Sequence, residues 1–162
     1  MREILFRGQT RKKGQKVWMD GSPVDGQWVY GGVLQGVGDF SVIYGGGNAN
    51  DPSEGLDKWC VYTDTLGQFT GLLDKNGTKI FEGDIIQFHK FRGEPDWVGV
   101  VKHEHCSFVA VGRMPLAYEK RIGEEPFFCP FEVDLCSIDK TTIKVIGNIH
   151  DNPDMLKEVS DG

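Results

Sequence analysis

No stretch of this 162-residue chain is apolar for long enough to cross a bilayer, so no membrane-spanning helix is expected. Its four cysteines, Cys60, Cys106, Cys129 and Cys136, are scattered and never form a CxxC pair. That spacing argues against a dense disulfide scaffold and against paired-ligand zinc motifs, and it predicts reduced, mostly buried thiols. A Gly-x-Ser-x-Gly nucleophile elbow is missing. Neither Gly36-Val37-Gly38 nor Gly45-Gly46-Gly47 leads into Lys-Ser/Thr and a helix, so both read as loops rather than phosphate cradles. Met1–Arg7 lacks the apolar core of a secretory signal, and a cytoplasmic protein is expected.

Basic charge is scarce overall. There are 18 Lys and Arg against 24 Asp and Glu, a formal net charge of −6. Residues 1–16 hold Arg2, Arg7, Arg11, Lys12, Lys13 and Lys16 against Glu3 alone, so the rest of the chain is more acidic than the total suggests. An acidic body repels phosphate, which disfavours nucleic-acid binding over a broad face. Only the Arg11-Lys12-Lys13 cluster offers a phosphate contact. Lying between two apolar stretches, it reads first as a solvated hairpin tip.

What the chain does have is glycine, 22 of them, punctuating short runs rich in β-branched and aromatic residues. Ile4-Leu5-Phe6, Val17-Trp18-Met19, Gln27-Trp28-Val29-Tyr30 and Phe40–Tyr44 read as brief antiparallel strands. Gly45–Gly55 is polar, glycine-rich and aperiodic, and reads as a linker. After it, Asn76-Gly77 supplies the positive φ angles of a tight turn, so Leu72–Ile80 reads as a hairpin. Phe81-Glu82-Gly83-Asp84 is a second turn, of the Gly-Asp kind that launches a curved strand in small SH3-like barrels. Trp97–Lys102 and Phe108–Val111 form the next hairpin, and Ile143–Ile149 a last strand.

Residues 112–142 carry Pro115, Pro126 and Pro130, which forbid a long helix, and read as an insertion packed over the barrel. Asn152 and Pro153 have the chemistry of an N-cap and first helical residue for a short helix at Asp154–Lys157. The expected fold is therefore mainly β. Residues 1–62 supply N-terminal antiparallel strands and the linker, and 63–158 an SH3-like small β-barrel with a short C-terminal helix. Residues 159–162 are expected to be a disordered tail.

Three constellations could carry chemistry. His103 and His105 are two apart, so on a strand they would share a face and could approach one ion. His89, Cys129, Cys136 and His150 are not spaced as further zinc ligands, so no metal is assigned, and His103 and His105 remain weak candidates. Glu82 and Asp84 could act as an acidic pair, but carboxylates in such a turn, like Asp74 and Asn76 in theirs, more often fix backbone amides. Trp28, Tyr30, Phe88, Phe91 and Trp97 could form an aromatic platform. The acidic balance makes base stacking a poor use for it and a protein surface a better one.

Several blocks resemble the YopX family of temperate phages and prophages: Met1–Arg7, Gly26–Gly31, Gly67–Leu72 with Asp74–Gly77, Ile80–Ile85, and Ile146–Pro153. The resemblance implies a phage or prophage accessory role in the cytoplasm of a bacterial host, and a β-rich, barrel-like C-terminal half. It carries over no catalytic residue. The expectation is a non-enzymatic module that binds a host or phage protein through Trp28, Tyr30 and Trp97, without a cofactor, with exposed strand edges as a route to a homo-oligomer. The alternatives are nucleic-acid binding through Arg11, Lys12 and Lys13, and a metal-dependent enzyme.

Overall fold

The computed structural model describes residues 3–10, 26–36, 38–45, 57–89, 96–115 and 128–155. The expected basic tip at Arg11–Lys13, the Val17–Met19 strand, nearly all of the Gly45–Gly55 linker and the tail lie outside the described residues. The chain divides into two compact units, Met1–Phe69 and Thr70–Gly162.

In the N-terminal unit four strands follow in order: β1 (Phe6–Gln9), β2 (Trp28–Leu34), β3 (Phe40–Gly45) and β4 (Asp57–Tyr62). Each pairs antiparallel with the next, and β1 also pairs with the start of β5 (Gly67–Leu73), Phe6 opposite Gln68. Thr10, just past β1, makes a single bridge to Val61 of β4. The sheet thus folds back on itself so tightly that at Gly8 and Gly31 its interior has no room for a side chain. A Cβ on Gly8 would lie 2.9 Å from Val61 Cγ2 and 3.1 Å from Ile43 Cδ1. Where β2 and β3 close on each other, a Cβ on Gly31 would sit 2.0 Å from the Tyr44 carbonyl oxygen, so only glycine fits. Ile43, Val61, Ser41 and Thr10 fill what room is left, all essentially inaccessible.

The C-terminal unit contains the end of β5, then β6 (Lys79–Phe81), β7 (Asp84–Phe88), β8 (Trp97–Glu104), β9 (Ser107–Pro115), β10 (Phe128–Asp134) and β11 (Lys144–Asn148). Five of them form an antiparallel sheet in the order β10–β9–β8–β7–β11. One face of it carries an apolar core of Ile80, Ile86, Phe88, Trp97, Val101, Ala110, Val133, Leu135, Ile138 and Ile143.

Its turns are held by the acidic residues that the sequence placed there. Asp74 accepts hydrogen bonds from the amides of Asn76 (2.8 Å), Thr78 (2.9 Å) and, across to β11, Val145 (3.2 Å). Burial alone would raise its pKa. The amides of Thr78, Val145 and Asn76, with the Thr78 hydroxyl, outweigh burial and hold it below the ordinary carboxylate value. Asp84 accepts from the Phe81 amide at 2.8 Å. In the final turn Asn148 Oδ1 accepts from the amides of His150 and Asp151, while Asn152 Oδ1 accepts from the Asn148 amide.

The fold is mainly β as expected, but among the described residues no sheet closes into a barrel, and the SH3-like reading is corrected. β10 and β11 stand at opposite ends of the five-strand order. A barrel would need them joined. Residues 112–142 explain the error. Their described part belongs to the sheet itself, because β10 pairs with β9 from Phe128 opposite Pro115 to Asp134 opposite Val109. Pro130 is compatible with this because β10 is an edge strand, where a missing N–H costs no ladder bond. Of the expected C-terminal helix, Asp154 and Met155 take helical backbone and the remainder lies outside the described residues.

Candidate functional site

Cross-strand partners of an antiparallel sheet lie on the same side, so register identifies which side chains share a face. In the N-terminal unit Arg7 lies opposite Tyr30, Gly32 opposite Tyr44, Leu34 opposite Val42, and Phe40 opposite Tyr62. The buried partners Ile43 and Val61 occupy the other side. The outer face is therefore aromatic and apolar. Tyr30 is 48% exposed and Leu34 59%, and Trp28, Phe40, Val42, Tyr44 and Tyr62 are half-buried around them. Two cations of the face lie over rings, the Arg7 guanidinium 4.7 Å from the Trp28 centroid and the Lys58 ammonium 5.9 Å from that of Tyr44. Arg7 is buried at 7% exposure, so its ring contact holds a charge largely withdrawn from water, whereas Lys58 is exposed and keeps its ammonium hydrated. At one end of the face the Phe40 and Tyr62 rings pair at 5.3 Å.

The expected aromatic platform is split. Trp28 and Tyr30 lie on the outer face of the N-terminal unit. Trp97 is 5% exposed and Phe88 fully buried, both packed against Phe131 in the core of the C-terminal unit. Phe91 lies outside the described residues. Leu34, Phe40, Tyr44 and Tyr62 were missed as members of the face. The alternation of Phe40, Val42 and Tyr44 is a signal for it, but Ser41 and Ile43 between them do not show which set points outward.

The expected histidine pair does not converge. His103 stays on β8 and packs edge-on against Phe108, with centroids 5.0 Å apart. His105 leaves the strand, because His105 and Cys106 form a two-residue turn with φ of 49° and 66°. Its Nδ1 lies 3.4 Å from Glu132 Oε1. Glu104, His105 and Glu132 bring one ligand atom each within 4.8 Å of one another, and none of the three is buried. That is a geometry of two carboxylates and one imidazole open to water, of a kind common on protein surfaces without an ion. Cys106 and Cys136 are exposed free thiols and Cys60 is half-buried, so the expectation of mostly buried thiols is corrected. Among the described residues no helix is long and apolar enough to cross a membrane.

No protein with a curated description matches this sequence. A crystal structure of the protein EF1440 from Enterococcus faecalis is similar at 23% identity, covering 73% of this chain and 75% of that one, with a TM-score of 0.37. The family model described as YopX protein matches residues 45–157, across β4 to β11 and the whole of 112–142. Met1–Arg7 and Gly26–Gly31, two of the resembling blocks, lie before that match. Spanning more than half of the sequence, the match shows that the chain belongs to the YopX protein family.

Proposed function

We propose that this chain is a non-enzymatic phage or prophage accessory module that binds a host or phage protein through the outer face of β2, β3 and β4. The observation that carries the reading is that Tyr30 and Leu34 stand exposed at the centre of a patch of half-buried aromatic rings. Large rings at low conformational cost, ringed by polar groups, are what a protein interface uses as anchors. Phosphate is a poor match, since the chain is acidic.

The test is purification of the tagged chain from induced lysogens with and without nuclease, beside a Tyr30→Ser/Leu34→Ser double variant. A stoichiometric protein that survives nuclease and is lost from the variant supports the reading. Partners that vanish with nuclease would move the function to nucleic acid and the Arg11–Lys13 segment.

A further inference from the structure

Where β3 and β4 end beside each other, the outer face runs into a cleft of about 480 Å³ lined by Gly38, Asp39, Phe40, Tyr62, Thr63 and Asp64. That volume lies in the range of ligand sites and accommodates a long side chain with its adjoining backbone. We propose that this cleft receives an arginine side chain of the partner protein, an assignment that rests on the interaction-module reading above and names the chemistry of its contact.

The lining has two kinds of surface, and a guanidinium suits both. The Phe40 and Tyr62 rings, tilted 39° to each other at 5.3 Å, offer π faces that attract a cation. Asp39 and Asp64 are both exposed and flank those rings with carboxylates. A planar fork of N–H donors can lie on a ring and meet a carboxylate in its own plane, whereas a compact ammonium does only the second well. The same face already places Arg7 over Trp28 and Lys58 over Tyr44, so ring-plus-cation contacts are its native chemistry.

The walls are fixed before any ligand arrives. The Thr63 amide donates to the Asp39 carbonyl at 2.9 Å, clamping the two acid-bearing segments together. Behind them runs a relay of hydroxyls. The Gly36 amide donates to Ser41 Oγ (3.3 Å), which lies 3.0 Å from Thr63 Oγ1, and Thr63 Oγ1 donates to the Gly38 carbonyl (3.3 Å). These contacts tie Gly36, Gly38, Ser41 and Thr63 into one hydrogen-bonded network. Ser41, at the inner end of this network, is 1% exposed, while the Thr63–Gly38 end is open to water. A preformed site loses less freedom on binding than one that has to be assembled.

The experiment uses the full chain, isotopically labelled, titrated with the peptide acetyl-Gly-Arg-Gly-amide and with its neutral citrulline and cationic lysine counterparts. The arginine peptide should shift the amides of Gly38–Phe40 and Tyr62–Asp64 saturably, in the low-millimolar range, and each counterpart should bind at least about tenfold more weakly. Asp39→Asn/Asp64→Asn should lose that binding while the amides of β1 and β2 keep their positions, which reports an intact N-terminal unit. Equal binding of arginine and citrulline, or unchanged binding by the double variant, overturns the proposal. Lysine binding as tight as arginine overturns the guanidinium assignment. In the lysogen purification, a partner kept by Asp39→Asn/Asp64→Asn but lost from Tyr30→Ser/Leu34→Ser sinks the cleft and leaves the module reading standing. Specific arginine binding with no nuclease-resistant partner from the native chain would sink the module reading, and with it the assignment of the arginine to a partner protein.

Discussion

The two units place the same residue types on opposite sides of their sheets. In the C-terminal unit Phe88 and Trp97 point inward and meet Phe131, with Ile86, Val101, Leu135 and Ile143 around them. In the N-terminal unit Trp28, Tyr30, Phe40, Tyr44 and Tyr62 lie on the outer face, and the interior holds Gly8, Gly31, Ser41, Thr10, Ile43 and Val61. The difference is geometric. Where Gly8 approaches Val61 and Ile43 there is no room for a ring, and the rings that the register puts on the inner side, Trp59 opposite Ile43 and Phe6 opposite Gly31, stay only half-buried. An aromatic residue is thus core or surface according to the space its sheet encloses, and hydrophobicity alone does not decide between them.

The sharpest way to test this contrast is to remove a ring from each side. Phe88→Ala should destabilise the C-terminal unit by about 3–5 kcal/mol in denaturant unfolding, because a fully buried ring leaves a cavity. A loss below about 1 kcal/mol would contradict the packed core described here. Gly31→Ala probes the opposite problem. Its Cβ would collide with the Tyr44 carbonyl, and forcing β2 from β3 should cost about 3 kcal/mol and broaden the amide signals of both strands.

Asp74→Asn should cost about 2 kcal/mol at neutral pH, since the new amide nitrogen presents a donor where Val145 N–H needs an acceptor. The native carboxyl has a folded-state pKa below its ordinary value of 3.8, so its contribution is complete above that value and disappears as pH falls through the folded one. The gap between native and variant stability should therefore persist at pH 5 and close only in stronger acid. Closure already above the ordinary value would mean that burial outweighs the amides. The smallest effect is expected on the outer face. Leu34→Ser should change stability by less than about 0.5 kcal/mol, because that side chain is 59% exposed. A larger loss would place Leu34 in the core and end its candidacy as a contact residue.

Much of the C-terminal unit was legible locally. Asn76-Gly77 marked its hairpin, with φ of +84° at Gly77, and the Glu82-Gly83 turn launches β7 as read from the sequence. Both signals lie within a few residues of the structure they specify. β4 was missed because Lys58–Tyr62 follows the glycine-rich stretch and its pairing partners lie in β3, a non-local contact with no local mark. β10 was missed because Pro130 reads as a strand breaker unless its edge position is known. Barrel closure depends on which strands end a sheet, and no turn motif records that. The outer face was half legible. Trp28 and Tyr30 were singled out, while the choice between Tyr44 and Ile43 as the outward residue required the register.

One consequence of the β8–β9 turn concerns the order in which the chain assembles. Both turn residues, His105 and Cys106, are non-glycine residues held at positive φ, each opposed by roughly 1 kcal/mol of local strain. A turn that resists its own closure cannot start the hairpin it joins. The long β8–β9 ladder, from Val98 opposite Arg113 to Glu104 opposite Ser107, must hold that turn shut from outside. The Asp74–Gly77 turn has the reverse character, closing itself with side-chain and glycine chemistry before its strands extend. Assembly of the C-terminal unit should then begin at residues 74–78 and reach the His105–Cys106 tip among its last events.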